Sequence, residues 1–253
     1  MKKARSDYPK GMSQFLDAII KEIAELPAPD GGRLSKSMLA TLKGLPRPVP
    51  PLPQNPYEHF ILDTFDAFSE LFQAYDNVML MTDLARLRFK QPCPVTRLQF
   101  LTFIVEASLN EFYIFTERLQ AFLTTIQRKY RADPQFASVQ RFIPLASKVV
   151  VDALKPVLGI RGAHVHQRRF ASDDETIKRA ANLELLVVAG RMKQLRPIYR
   201  KAMNDALKHV VKSIRMLARN ARGVTNGTFK HLSPQLIDGD GRLRRPSNIK
   251  KPI

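Results

Sequence analysis

An all-α fold, a bundle of long antiparallel helices, is what this sequence predicts. Two stretches of more than thirty residues, 57–89 and 95–131, run without an internal Gly or Pro and carry apolar residues at three- and four-residue steps. No segment shows the alternation of a convincing strand, and no internal repeat is present. With 253 residues, 44% hydrophobic content and 15 Phe, the chain has ample material for a buried core.

Taken in order, Ser13 to Leu26 reads as a short amphipathic helix through Phe15, Leu16, Ile19, Ile20, Ile23 and Leu26. Pro27, Pro29, Gly31 and Gly32 end it, and Ser35 to Leu42 is a second short helical candidate. Six prolines from Pro46 to Pro56 forbid a continuing helix and predict an extended strap across the surface. Tyr57 to Phe89 then forms a helix with Phe60, Ile61, Phe65, Phe68, Leu71, Phe72, Tyr75, Val78 and Met79 inward. Pro92 and Pro94 turn the chain into an antiparallel partner, Val95 to Arg131, with Leu101, Ile104, Phe112, Phe115, Leu119, Phe122 and Ile126 on its apolar side.

Ser138 to Leu154 is helical, with a kink or a late start expected at Pro144. Pro156 and Gly159 are expected to disturb the chain just before Arg161. Ser172 and Glu175 match a capping box opening a helix towards Gly190. Pro197 opens or kinks a last helix to Arg222, which Gly223 ends. The expected organisation is an N-terminal helix and strap (1–56), a helical domain (57–222) and a basic C-terminal tail (223–253).

Charge narrows the function classes. The net charge of +18 is uneven: from Arg191 to Ile253, 16 Lys and Arg face three Asp. One end of the molecule is therefore built to meet an anion, with nucleic acid the leading candidate. On the last helix Ile198, Ala202, Ala206, Val210, Ile214, Leu217 and Ala221 form an inward stripe. Lys201, Lys208, Lys212, Arg215, Arg219 and Arg222 follow the same steps on the opposite face, a positive ridge suited to phosphates. No run approaches the roughly 20 apolar residues of a membrane span, and Met1 to Asp7 lead into no apolar signal core. The single Cys93 excludes an internal disulfide and a cysteine zinc cluster. A cytoplasmic protein without a membrane partner is the expectation.

One motif remains. Arg161 is followed after four residues by His166, between long apolar-periodic helices. Arginine holds phosphate oxygens with a fixed fork of donors, and histidine moves protons near neutral pH. At this point the sequence resembles the HEPN superfamily, helical bundles whose hallmark is Arg, four to six residues, then His. The resemblance implies an up-and-down bundle acting as a metal-independent endoribonuclease, needing no cofactor. It also implies a homodimer with facing motifs, and a toxin paired with an antitoxin or an antiviral effector as a setting. RNA supplies its own nucleophile, the 2′-hydroxyl, so His166 would exchange protons and Arg161 would clamp the scissile phosphate.

Family members usually carry a polar residue after the arginine, where this chain has Gly162. That departure favours the alternative, an inert module that binds RNA or nucleotide or scaffolds a partner. On a regular helix Arg161 and His166 stand about 140° apart, whereas Arg161 and His164 stand about 60° apart. Convergence of the motif therefore calls for irregular backbone at Gly159 and Gly162. His164 and His166 would point to opposed sides, with no third ligand nearby, so no metal is expected. Candidate supporting groups are His164 within the motif and, beside Glu111, Asn110 and Glu117, seven apart on one face of a largely apolar helix.

Overall fold

In a computed structural model, residues 8–25, 55–86, 96–166, 175–188 and 193–249 are described; for 156–166, 188 and 193 the description is of backbone. Six α-helices are present among them: α1 (Lys10–Ala24), α2 (Pro56–Leu84), α3 (Arg97–Tyr130), α4 (Ala137–His166), α5 (Glu175–Val188) and α6 (Arg196–Leu236). A single antiparallel bridge, Ile237 to Leu243, is the only β-pairing among the described residues. The fold is all-α. The short segment at 35–42 and the proline strap at 44–54 lie outside the described residues.

Local sequence explains where the long helices begin. Asn55 and Glu58 form a reciprocal cap: the Glu58 amide donates to Asn55 Oδ1 at 2.9 Å, and Asn55 Nδ2 donates to Glu58 Oε1 at 2.7 Å. Thr96 and Gln99 repeat the device at α3, with bonds of 3.1 and 2.7 Å. Each pair satisfies helix-end groups that would otherwise lack partners. Helix α2 then runs antiparallel to α3. Lys129 pairs with Asp63 at 2.5 Å and Arg118 with Glu70 at 2.8 Å, while Asn77 donates to Glu111 at 3.0 Å.

The chain divides into two compact units, the first made of 1–71, 118–149 and 222–253, the second of 72–117 and 150–221. The first is centred on four phenylalanines, one from each of α1, α2, α3 and α6. Phe15, Phe68, Phe122 and Phe229 touch in all six pairings, with ring centroids 5.3 to 6.0 Å apart. Such pairs contribute about 0.5–1.5 kcal/mol each beyond their buried area. Helix α1 is drawn close against α6 at Gly11, where a Cβ would stand 2.8 Å from the Phe229 carbonyl oxygen. Ser233 Oγ donates to the Gly11 carbonyl at 3.0 Å beside it.

The second unit has its own core, including Val78, Leu101, Ile104, Phe112, Phe115, Leu154, Ile177, Ala206 and Ile214. Asn220 ties α6 to α4 by donating to the Ala153 carbonyl at 3.1 Å. Tyr199 links α6 to α5 through Glu184 at 3.3 Å. Burial and the Glu184 charge raise the Tyr199 pKa, which keeps the hydroxyl a donor.

Two expectations from sequence are corrected. Helix α4 does not start late at Pro144, nor break at Pro156 or Gly159; it is helical from Ala137 to His166. Pro144 is exposed in the second turn, so its missing N–H frees only the Gln140 carbonyl. The last helix does not end at Gly223 but reaches Leu236. Gly223 and Gly227 have open space at their Cβ positions, while Phe229, Leu232 and Leu236 are fully buried. Burial of that apolar stripe outweighs the cost of two helical glycines, about 1 kcal/mol each.

The expected tail is thus a folded clasp. Asp238 caps a turn by accepting from the amides of Asp240 and Arg242 at 3.0 and 2.8 Å, with Gly241 in the left-handed region at φ 71°. Arg242 donates to Glu25 through both terminal guanidinium nitrogens, and Tyr130 Oη donates to the Arg244 carbonyl at 2.7 Å. Asp133 collects the Ser247 amide at 2.6 Å and both the amide and side chain of Gln135. The Ser247 amide bond, first among these donors, holds the Asp133 carboxyl below the ordinary carboxylate range.

Two stability measurements follow from this packing. Phe229→Ala should lower unfolding free energy by about 3–5 kcal/mol in a urea titration; a loss under about 1 kcal/mol would mean the residue is not part of the core. Because the Asp133 pKa is depressed on folding, its contribution is present above the unfolded value of 3.8 and lost as pH falls through the lower folded value. Asp133→Asn should therefore destabilise the protein at neutral pH and flatten the acid limb of its stability curve. An unaltered acid limb would contradict the assignment.

Candidate nucleic-acid interface

Helix α6 carries nine Lys and Arg against a single Asp over 41 residues. Its register sorts them. Ala202, Ala206, Val210, Ile214, Leu217 and Ala221 are buried, and Lys201, Lys208, Lys212, Arg215, Arg219 and Arg222 are all exposed. Ile198, expected in the buried stripe, is 47% exposed, because it lies within the first turn of the helix, before the stripe takes hold at Ala202.

Four of the basic positions meet in one place. Lys208, Lys212, Arg215 and Arg219 line a groove of about 580 Å³ together with Ala85, Arg86, Leu207 and Val211. Their spacing of four, three and four residues keeps them within an arc of about 60° over a rise of about 16 Å. Ala85, Leu207 and Val211 give the groove aliphatic walls, against which lysine and arginine stems can lie while the charged heads stay in water. Arg222 continues the row by register but is not among the lining residues.

Arg86 is the functional candidate that sequence reasoning missed. It stands just past the end of α2, far from α6 in the chain, and no local pattern marks it. Its guanidinium reaches Asp83 at 3.1 Å, an exposed pair three residues apart. Such pairs contribute at most about 1 kcal/mol, so a phosphate can compete for the arginine.

The motif residues are placed differently. Arg161, His164 and His166 occupy the last two turns of α4, on regular helical backbone. Arg161 and His166 therefore hold positions about 140° apart around the axis, and the irregular stretch expected at Gly159 and Gly162 is absent. Asn110 and Glu117 are both exposed on α3, while Glu111 between them accepts from Asn77 at 3.0 Å. Among the described residues no cluster of three or more His, Cys, Asp or Glu side chains is arranged to hold a metal ion. No helix among them is long and apolar enough to cross a membrane.

Comparison with known protein families, with curated proteins and with solved structures gives no match. Function is therefore argued from the residues of this chain.

Proposed function

We propose that the protein binds RNA through the α6 groove, and that this binding is its central activity. The observation that carries the reading is the convergence of Arg86, Lys208, Lys212, Arg215 and Arg219 on one groove, in a chain with net charge +18. Backbone phosphates are the natural counterpart of such a row. The eight lining residues include no aromatic ring to stack a base and no amide or carboxylate to read a base edge. Recognition is accordingly electrostatic and tolerant of sequence. Five neutralised phosphates give a log–log salt slope of about −3.5 on a single strand.

Replacing Lys208, Lys212, Arg215 and Arg219 together by Gln should weaken RNA binding and reduce that slope by about 3 in a filter-binding titration. All four side chains are exposed, so the fold should survive, as circular dichroism would verify. An unchanged slope in the folded variant would remove the groove from the binding surface.

Cleavage of the bound RNA is a second reading, favoured by one observation: the Arg161 to His166 segment belongs to the same compact unit as the groove. In this reading His166 transfers protons and Arg161 holds the phosphate, and the separation of the two positions calls for a homodimer. The wild type should then cut RNA in excess EDTA, leaving 2′,3′-cyclic phosphate and 5′-hydroxyl ends. His166→Ala should slow cleavage by about 10²-fold or more. RNA left intact by the wild type would sink catalysis while leaving the binding reading in place.

A further inference from the structure

The first unit contains a pocket that the nucleic-acid reading does not use. It has a volume of about 510 Å³ and lies where the C-terminal clasp meets α1 and the short 3₁₀ turn at Pro134–Phe136. Its unusual member is Glu22, a carboxylate only 3% exposed yet lining the cavity. Glu22 Oε2 accepts from the Tyr57 hydroxyl; among the described residues no donor meets Oε1, and no ion pair includes Glu22. Oε1 thus has no donor from the described residues and opens to the pocket, where a ligand can supply one.

Three arginines, Arg242, Arg244 and Arg245, line the same pocket. Arg242 is held by Glu25, and Arg245 lies over the Tyr57 ring at 5.5 Å. Arg244 is exposed and is among the lining residues. The lining thus sets three arginines beside two carboxylates, Glu22 and Asp238, with Arg242 already held by Glu25 from outside it. A purely anionic ligand would be repelled by Glu22, and a purely cationic one would meet Arg244 and Arg245. A ligand carrying both signs, separated, suits all of them. Phe136, Leu243 and Pro246 add an apolar wall for a side chain.

We infer that this pocket binds a zwitterion of the amino-acid and dipeptide class, its ammonium on Glu22 and its carboxylate on Arg244 and Arg245. The ammonium donates to the open Glu22 oxygen, and the guanidinium fork takes the carboxylate by two parallel bonds. The volume lies within the range of small-molecule sites and accommodates a dipeptide. Every group used lies in the first unit and none belongs to the α6 groove, so this inference does not depend on the RNA reading.

The test uses the full-length protein and thermal-shift assays with each of the twenty L-amino acids and the dipeptide alanyl-phenylalanine at about 10 mM, where a millimolar site is filled. At least one probe should raise the melting temperature, and isothermal titration of that probe should give saturable binding. Its N-acetyl derivative, lacking the ammonium, and its C-terminal amide, lacking the carboxylate, should each bind about tenfold or more weakly. Glu22→Gln, which keeps an acceptor for Tyr57, and the exposed Arg244→Ala should each weaken the parent probe to a similar extent. No shift from any probe would overturn the inference. So would binding that survives N-acetylation, or that Arg244→Ala leaves unchanged if Glu22→Gln fails to fold.

Discussion

The mutual contact of Phe15, Phe68, Phe122 and Phe229 is the constraint on which the first unit depends. Four rings from four helices can all touch only if those helices hold fixed depths and rotations. Gly11 lets α1 come close enough to α6 for Phe15 to reach Phe229. The same closeness places Glu22, three turns along α1, beside the turn that follows α6. From there the clasp bonds to Glu25, Tyr130 and Asp133 follow. The pocket around Glu22 therefore depends on packing some distance away as well as on the clasp bonds themselves.

Helix α6 serves two purposes along one length. Its buried face supplies Ala206, Val210 and Ile214 to one unit and Phe229, Leu232 and Leu236 to the other. Its exposed face carries the row of cations. The small residues at 202, 206, 218 and 221 suit close helix packing on the inner side, while lysine and arginine tolerate the crowding of like charge because water and salt screen it. A bound polyanion relieves that repulsion, which is the physical reason such a row favours nucleic acid over solvent alone.

Much of the fold was legible in the sequence because apolar spacing at three and four residues survives wherever a helix buries one side. The two long helices begin and end within a few residues of their expected limits, and α6 buries the stripe from Ala202 to Ala221 as its period requires. The misreadings share one cause. Gly223, Pro144 and Pro156 are local helix-breaking signals, and the helix runs through each of them, at Gly223 because the apolar stripe beyond it is buried. Beyond Gly223 the spacing of Val224, Thr228, Phe229, Leu232 and Leu236 already continued the stripe, and that signal was the better guide. Of the candidate interface, the α6 cations were legible as a row, whereas Arg86 was not, since nothing local links it to a helix more than a hundred residues away. The Glu22 pocket was beyond reach for the same reason: it joins α1, Tyr57 and residues 242–249 across almost the whole chain.

Ultraviolet crosslinking directly tests the proposal that RNA lies on the α6 groove rather than on the other basic segments of the chain. Wild-type protein irradiated with bound RNA and analysed by peptide mass spectrometry should carry nucleotide adducts on the peptides containing Arg86 and Lys208 to Arg219. Adducts confined to the basic residues of 242–251, or to the segment around Arg161 and His166, would contradict it.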